Sequence, residues 1–114
     1  MARRLDSYEL VVLRRPARRP HFDEQTAERI QQEHLDFHDA LREAGTVVTN
    51  GPLLGQPDQS LRGLTFYRTG SLEKTRALAE QDPWVKAGGL EIDVMTWLCA
   101  PGSMVRPGQP VTFH

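Results

Sequence analysis

The chain has 114 residues, 14 basic and 15 acidic side chains for a formal net charge of −1, and a single cysteine, Cys99. That length suits one domain, the balanced charge excludes nucleic acid as the main partner because phosphate binding needs a basic surplus, and one cysteine excludes an intramolecular disulfide or an all-cysteine metal site. No apolar run approaches the roughly 18 to 20 residues of a membrane helix, and MARRLDSYEL lacks the apolar stretch of a secretory signal, so the expectation is a cytoplasmic protein.

Tyr8 to Leu13, YELVVL, is apolar and β-branched and predicts a first strand. RRPARRP at 14–20 follows, four arginines between prolines. It reads as a stiff solvated loop, with the alternative that the segment grips a phosphate or carboxylate, Arg14 or Arg15 holding a substrate carboxylate in a bidentate pair. From Asp23 to Ala44 the chain is free of Gly and Pro and rich in Glu, Gln, Arg and Ala. Its apolar positions Ala27, Ile30, Phe37, Leu41 and Ala44 predict one long helix, capped by Asp23 and stopped by Gly45. Thr46 to Thr49 predicts a second strand, ended by turn residues Asn50, Gly51 and Pro52.

Leu61 to Arg68 alternates as a third strand, Leu64 and Phe66 on one face and Thr65 and Tyr67 on the other, with Gly63 weakening it or marking a bulge. Ser71 caps a second helix expected to run to about Gln81, because Pro83 disfavours helical geometry at Asp82. After a turn, DPWVKAGG, Leu90 to Leu98 alternates as a fourth strand: Leu90, Ile92, Val94 and Leu98 against Glu91, Asp93, Met95 and Trp97. The whole is one domain over 1–114, with a core at about 8–99 and a turn-rich tail at 100–114 expected on the surface or against a partner.

Strand, helix, strand, strand, helix, strand is the split βαβ order: an α+β fold with an antiparallel sheet and two helices on one face. The other face would be left bare. Met95, Trp97, Tyr67 and Val11 are assigned to it, and its apolar character predicts a homodimer in which two sheets pack face to face. A chain of this size has little interior for a private cavity, which favours a site at a subunit interface or sheet mouth.

His34 fills the seven-residue gap in the helix stripe between Ala27, Ile30 and Phe37, Leu41. It is a packed core histidine, a metal ligand with His38 one turn on, or a general acid or base near neutral pH. No HExxH order or cysteine pair supports a metal, so none is assigned, and His38 is placed about 40° round the helix at the half-solvated edge of the stripe. Asp82, at the end of the second helix, is the carboxylate expected to hold His34, with an ordinary reading as a turn residue equally open.

EHLDFHDALREAGTVVTNGPL and AEQDPWVKAGG together resemble the YciI-like family, or YCII-related domain, over roughly residues 8 to 99, with the loop at 14–20 and the last fifteen residues outside. The resemblance implies a ferredoxin-like fold that pairs into a dimeric α+β barrel, with His34 and Asp82 as the active pair. One relative in chloroaromatic breakdown looks like a dehydrochlorinase, and the same barrel architecture hosts muconolactone isomerases. The implied chemistry is cofactor-independent: His34 removes a proton beside a carbonyl or other acidifying group of a small carbonyl-bearing or cyclic substrate, and a leaving group departs or the double bond shifts. Gly51 and Pro52 are candidates for the pocket wall and Trp84 for a pocket cap. The competing expectation is a non-catalytic homodimer in which the His34–Asp82 pair only joins two helices. The two differ in whether one imidazole nitrogen stays free towards a cleft.

Overall fold

In a computed structural model describing residues 2–113, the strands are β1 (Asp6–Arg14), β2 (Val47–Pro52), β3 (Leu61–Tyr67) and β4 (Glu91–Cys99). They form one sheet in the order β2-β3-β1-β4, with every neighbouring pair antiparallel. Helices α1 (Glu24–Glu43) and α2 (Leu72–Ala79) cover one face, giving the ferredoxin-like α+β fold expected from the element order. No helix among the described residues is long and apolar enough to cross a membrane.

Local chemistry sets the helix ends. The Asp23 carboxylate accepts the Thr26 amide proton at 2.7 Å and so satisfies one of the free amides of the first turn of α1. Ser71 does the same for Lys74 at 3.1 Å. Helix α2 stops at Ala79, earlier than the expected Gln81, and the predicted turn at DPWVK is instead a one-turn helix, α3 (Pro83–Lys86). Asp82 is its N-cap and Pro83 its first residue, a position where proline's missing amide proton costs nothing.

The core lies between sheet and helices, built on Val11, Leu13, Val47, Tyr67 and Ala79, with Leu41, Ile92 and Val94 packed against it. Register corrects the facing of two residues. Residues opposite each other in an antiparallel ladder share a face. Val11 lies opposite Thr65 and Val94, and Tyr67 opposite Glu9 and Val47, so both point towards the helices and both are 1% exposed. The bare face carries Leu10 opposite Phe66 and Met95, Val12 opposite Leu64, and Tyr8 opposite Trp97. Trp97 meets the Phe66 ring edge-on with centroids 5.0 Å apart.

Gly51 and Pro52 are paired in β2 rather than forming the turn after it. Gly63 sits beside a register shift that leaves Arg62 as an extra residue opposite the Leu13–Arg14 step, the expected bulge. A side chain at Gly63 would come within 2.9 Å of the Gly51 carbonyl oxygen, so β2 and β3 approach closely only because this residue has none. Beyond β4 the chain makes a 3-10 turn at Ser103–Val105 and runs on exposed to Phe113.

Candidate active site

Helix α1 and the N-cap of α3 meet around a single carboxylate. Asp82 is 2% exposed, and four hydrogen-bond contacts surround it. Its Oδ1 accepts the Trp84 amide proton at 3.0 Å, its Oδ2 lies 3.0 Å from His38 Nε2, and both oxygens lie 2.8 Å from His34 Nδ1. Burial alone would push this carboxyl up, but the hydrogen bonds from His34 and His38, the charge of His34 and the Trp84 amide outweigh it and hold the group at about 2. Asp82 is therefore an anion at neutral pH and the facing nitrogens are donors. His34 carries its proton on Nδ1 and His38 carries one on Nε2.

The remaining nitrogens differ. His38 is 3% exposed, and its Nδ1 is buried without a partner among the described residues. His34 Nε2 makes no hydrogen bond among the described residues, and the ring lines a cleft of about 510 Å³ at the mouth between α1 and the sheet. One imidazole thus presents a bare nitrogen lone pair to a space large enough for a small ring compound, while the carboxylate behind it steadies the ring and would stabilise the imidazolium formed on protonation.

His34, His38 and Asp82 each offer a ligand atom, all within 4.8 Å of one another, which is within reach of one cation. Ligating histidines ordinarily donate their second N–H to an outer acceptor. Among the described residues neither ring has a protein acceptor at that nitrogen: His34 Nε2 faces the cleft and His38 Nδ1 is buried. The cluster is built as a carboxylate gripped by two imidazoles.

Around the cleft, Gly51 and Pro52 form part of one wall and Trp84 another. Trp84 is 8% exposed, its indole N–H donates to Gln31 Oε1 at 2.8 Å, and its face packs so tightly on Gly89 that a Cβ there would lie 2.5 Å from the ring. Arg14 is not at the cleft. It points to the other face of the sheet, where its Nε donates to Asp93 at 2.6 Å and Asp58 lies 3.7 Å away. Arg15, Arg19 and Arg62 line the cleft instead.

A family model described as the YCII-related domain matches residues 10–98. The chain belongs to the YCII-related domain family. Among solved structures, this YCII-related domain is similar to 5-chloro-2-hydroxyhydroquinone dehydrochlorinase from Burkholderia phenoliruptrix AC1100, determined in complex with 2,5-dihydroxybenzoquinone. The two share 19% identity and a TM-score of 0.58 over 79% of this chain and 92% of the other. The likeness establishes a shared fold. No curated protein matches the sequence.

For two residues of this YCII-related domain's site, His38 and Arg19, sequence reasoning misses the role: Arg19 belongs to the 14–20 segment read as a possible anion grip but is not singled out within it. His38 is more buried than His34, not half-solvated, because α3 packs against α1 on that side and turns the buried arc towards it. The rings of His34 and His38 stand edge to face, 4.6 Å between centroids. Arg19 carries no periodic signal and reaches the site only by stacking on Phe22 and Trp84.

The depressed Asp82 group gives a signed prediction for stability. The folded state favours the ionised form, so the stabilisation is fully present above the ordinary value of 3.8 and is lost as pH falls towards 2. Between those limits the free energy of unfolding is expected to fall by an amount on the order of 2 kcal/mol attributable to this group. Urea titrations at pH 5, 4, 3 and 2 check it, and Asp82→Asn should remove that part of the slope.

Proposed function

We propose that this chain is a cofactor-independent acid and base enzyme of lyase or isomerase type, working in the cytoplasm on a small carbonyl-bearing or cyclic molecule. The observation that supports the reading is the division of labour on His34: Nδ1 tied to a buried carboxylate, Nε2 open to the cleft. Nε2 takes a proton from a carbon beside the carbonyl, and the electrons of the broken C–H bond move onto the carbonyl oxygen as an enolate. The enolate then expels a leaving group such as chloride from the adjacent carbon, or the His34 imidazolium returns the proton one conjugated position along. Asp82 holds the ring and offsets its transient charge. The dehydrochlorinase with the same fold fits the elimination branch.

Proton exchange tests this without knowledge of the natural substrate. Small cyclic ketones and chlorinated hydroxyhydroquinones are incubated with the protein in D₂O and followed by NMR and by chloride release. Deuterium incorporation or chloride release that survives dialysis against EDTA and vanishes in His34→Gln is the expected result. No exchange and no elimination across the panel would leave a small-molecule-binding module with a structural His–Asp pair.

We also propose that two copies pair through the sheet face opposite the helices. Leu10, Leu64, Phe66 and Trp97 are only half-covered there and Met95 is 40% exposed, an apolar surface that a twofold partner would bury with its own copy. Light scattering behind size exclusion is expected to give twice the 12.9 kDa chain mass at micromolar concentration, and monomer for Trp97→Glu. A monomeric wild-type protein would refute the pairing.

A further inference from the structure

The cleft that holds His34 is strongly one-sided in charge. Among the described residues its lining includes Arg15, Arg19 and Arg62 and not a single acidic side chain, although the chain as a whole is balanced. Asp82 lies behind His34 and is absent from the lining. Among the described residues none of the three arginines forms an ion pair, in contrast to Arg14, which Asp93 and Asp58 neutralise. Gathering three unpaired guanidiniums at one mouth is unfavourable in the empty protein. Burial, followed by the charges of Arg15 and Arg62, lowers the affinity of Arg19 for its own proton.

Arg19 is also the best positioned of the three. Its Nε donates to the Gly89 carbonyl at 3.1 Å, and its guanidinium lies 5.0 Å from the Phe22 ring centroid and 5.1 Å from that of Trp84. Those contacts fix the plane of the group and leave its two terminal nitrogens without a partner among the described residues. A planar fork held in this way matches a carboxylate, which accepts two parallel N–H bonds. The rest of the wall, including Leu13, Leu35, Pro52 and Leu90, is apolar and suits a hydrocarbon or ring body.

Deepening the acid and base reading, and resting on it for the chemistry, we infer that the cleft takes a compact carboxylate: Arg19, with Arg15 and Arg62, holds the anion while the body of the molecule lies against His34. The arginine and proline segment at 14–20 is then the specificity element of the site. The same cations would favour charge developing as an enolate forms, so binding and chemistry use one field.

Benzoate and its neutral isostere benzamide test the assignment by titration followed through tryptophan fluorescence and by calorimetry. Benzoate is expected to bind at least about ten-fold more tightly at low salt, with a preference that shrinks as salt is raised. Arg19→Gln should abolish the preference, while Arg15→Gln and Arg62→Gln, at exposed positions where folding is unaffected, should each reduce it several-fold. His34→Ala should keep it. Equal binding of the two probes, a preference untouched by all three arginine variants, or no binding of either would overturn the inference. A benzoate preference in a protein inactive on every compound tried would sink the catalytic reading and leave the carboxylate site standing. Turnover of neutral and carboxylated substrates with equal kcat/KM would do the reverse.

Discussion

Replacing His34 by glutamine is expected to lower kcat by roughly 10²- to 10⁴-fold, the range that a positioned acid or base contributes, with little change in the KM of a substrate held mainly by the arginines. Glutamine retains a side-chain N–H that can reach Asp82, so the buried carboxylate keeps a donor and the fold is preserved. What is lost is the lone pair facing the cleft. The circular dichroism spectrum and urea midpoint should stay close to wild type, which separates this result from unfolding. An unchanged kcat would transfer the proton chemistry to some other group, and among the described residues no other neutral base lines the cleft.

Asp82→Ala carries the largest expected effect on stability. The substitution removes the acceptor of three donors at once: His34 Nδ1–H, His38 Nε2–H and the Trp84 amide. The latter two are buried with nowhere else to donate, and each orphaned buried donor costs about 1–3 kcal/mol. The Trp84 amide bond is also the N-cap of α3, so its loss already includes the cap. A total of roughly 2–6 kcal/mol is expected from urea unfolding at pH 7, together with loss of activity, because a ring with no carboxylate behind it has neither a fixed tautomer nor a counter-charge. Asp82→Asn should cost less stability, since its amide oxygen still accepts, yet it should lose at least about 100-fold in kcat because the charge is gone. The contrast between the two variants separates the cap from the electrostatics.

The fold was legible because each long element carries its own period and punctuation. Asp23 and Gly45 bracket α1, Ser71 opens α2, and alternation from Leu90 to Leu98 marks β4 and sorts its two faces correctly. His34 stood out as a titratable ring in an apolar stripe, and Asp82 as the residue held by a following proline. What failed depended on partners distant in sequence. The faces of Val11 and Tyr67 follow from register against β3 and β1, and alternation within one strand cannot say which side the helices take. His38 is buried by α3, which is too short to show a period, although Asp-Pro is itself an N-cap followed by a favoured first residue. Gly51 and Pro52 read as a turn, but at an edge strand proline's missing donor goes unpaired at no cost.

The arginine segment divides along the same line. Arg14 continues the alternation of β1, shares the bare face with Val12 and is neutralised there by Asp93, whereas Arg15 leaves the strand towards the cleft. Arg19 reaches the site through aromatic rings contributed by Phe22 and by Trp84, the latter far along the chain. Nothing in the local spacing of RRPARRP distinguishes these roles.

The most direct measurement is the protonation of the imidazole nitrogens of His34, read from long-range proton–nitrogen correlations in protein labelled with ¹⁵N at its four histidines, with His34→Gln and His38→Gln supplying the assignments. In the neutral ring the proton should sit on Nδ1 and the Nε2 resonance should be that of an unprotonated nitrogen that shifts when a ligand enters the cleft. A ring protonated on Nε2, or one whose Nε2 ignores every cleft ligand, would contradict the account.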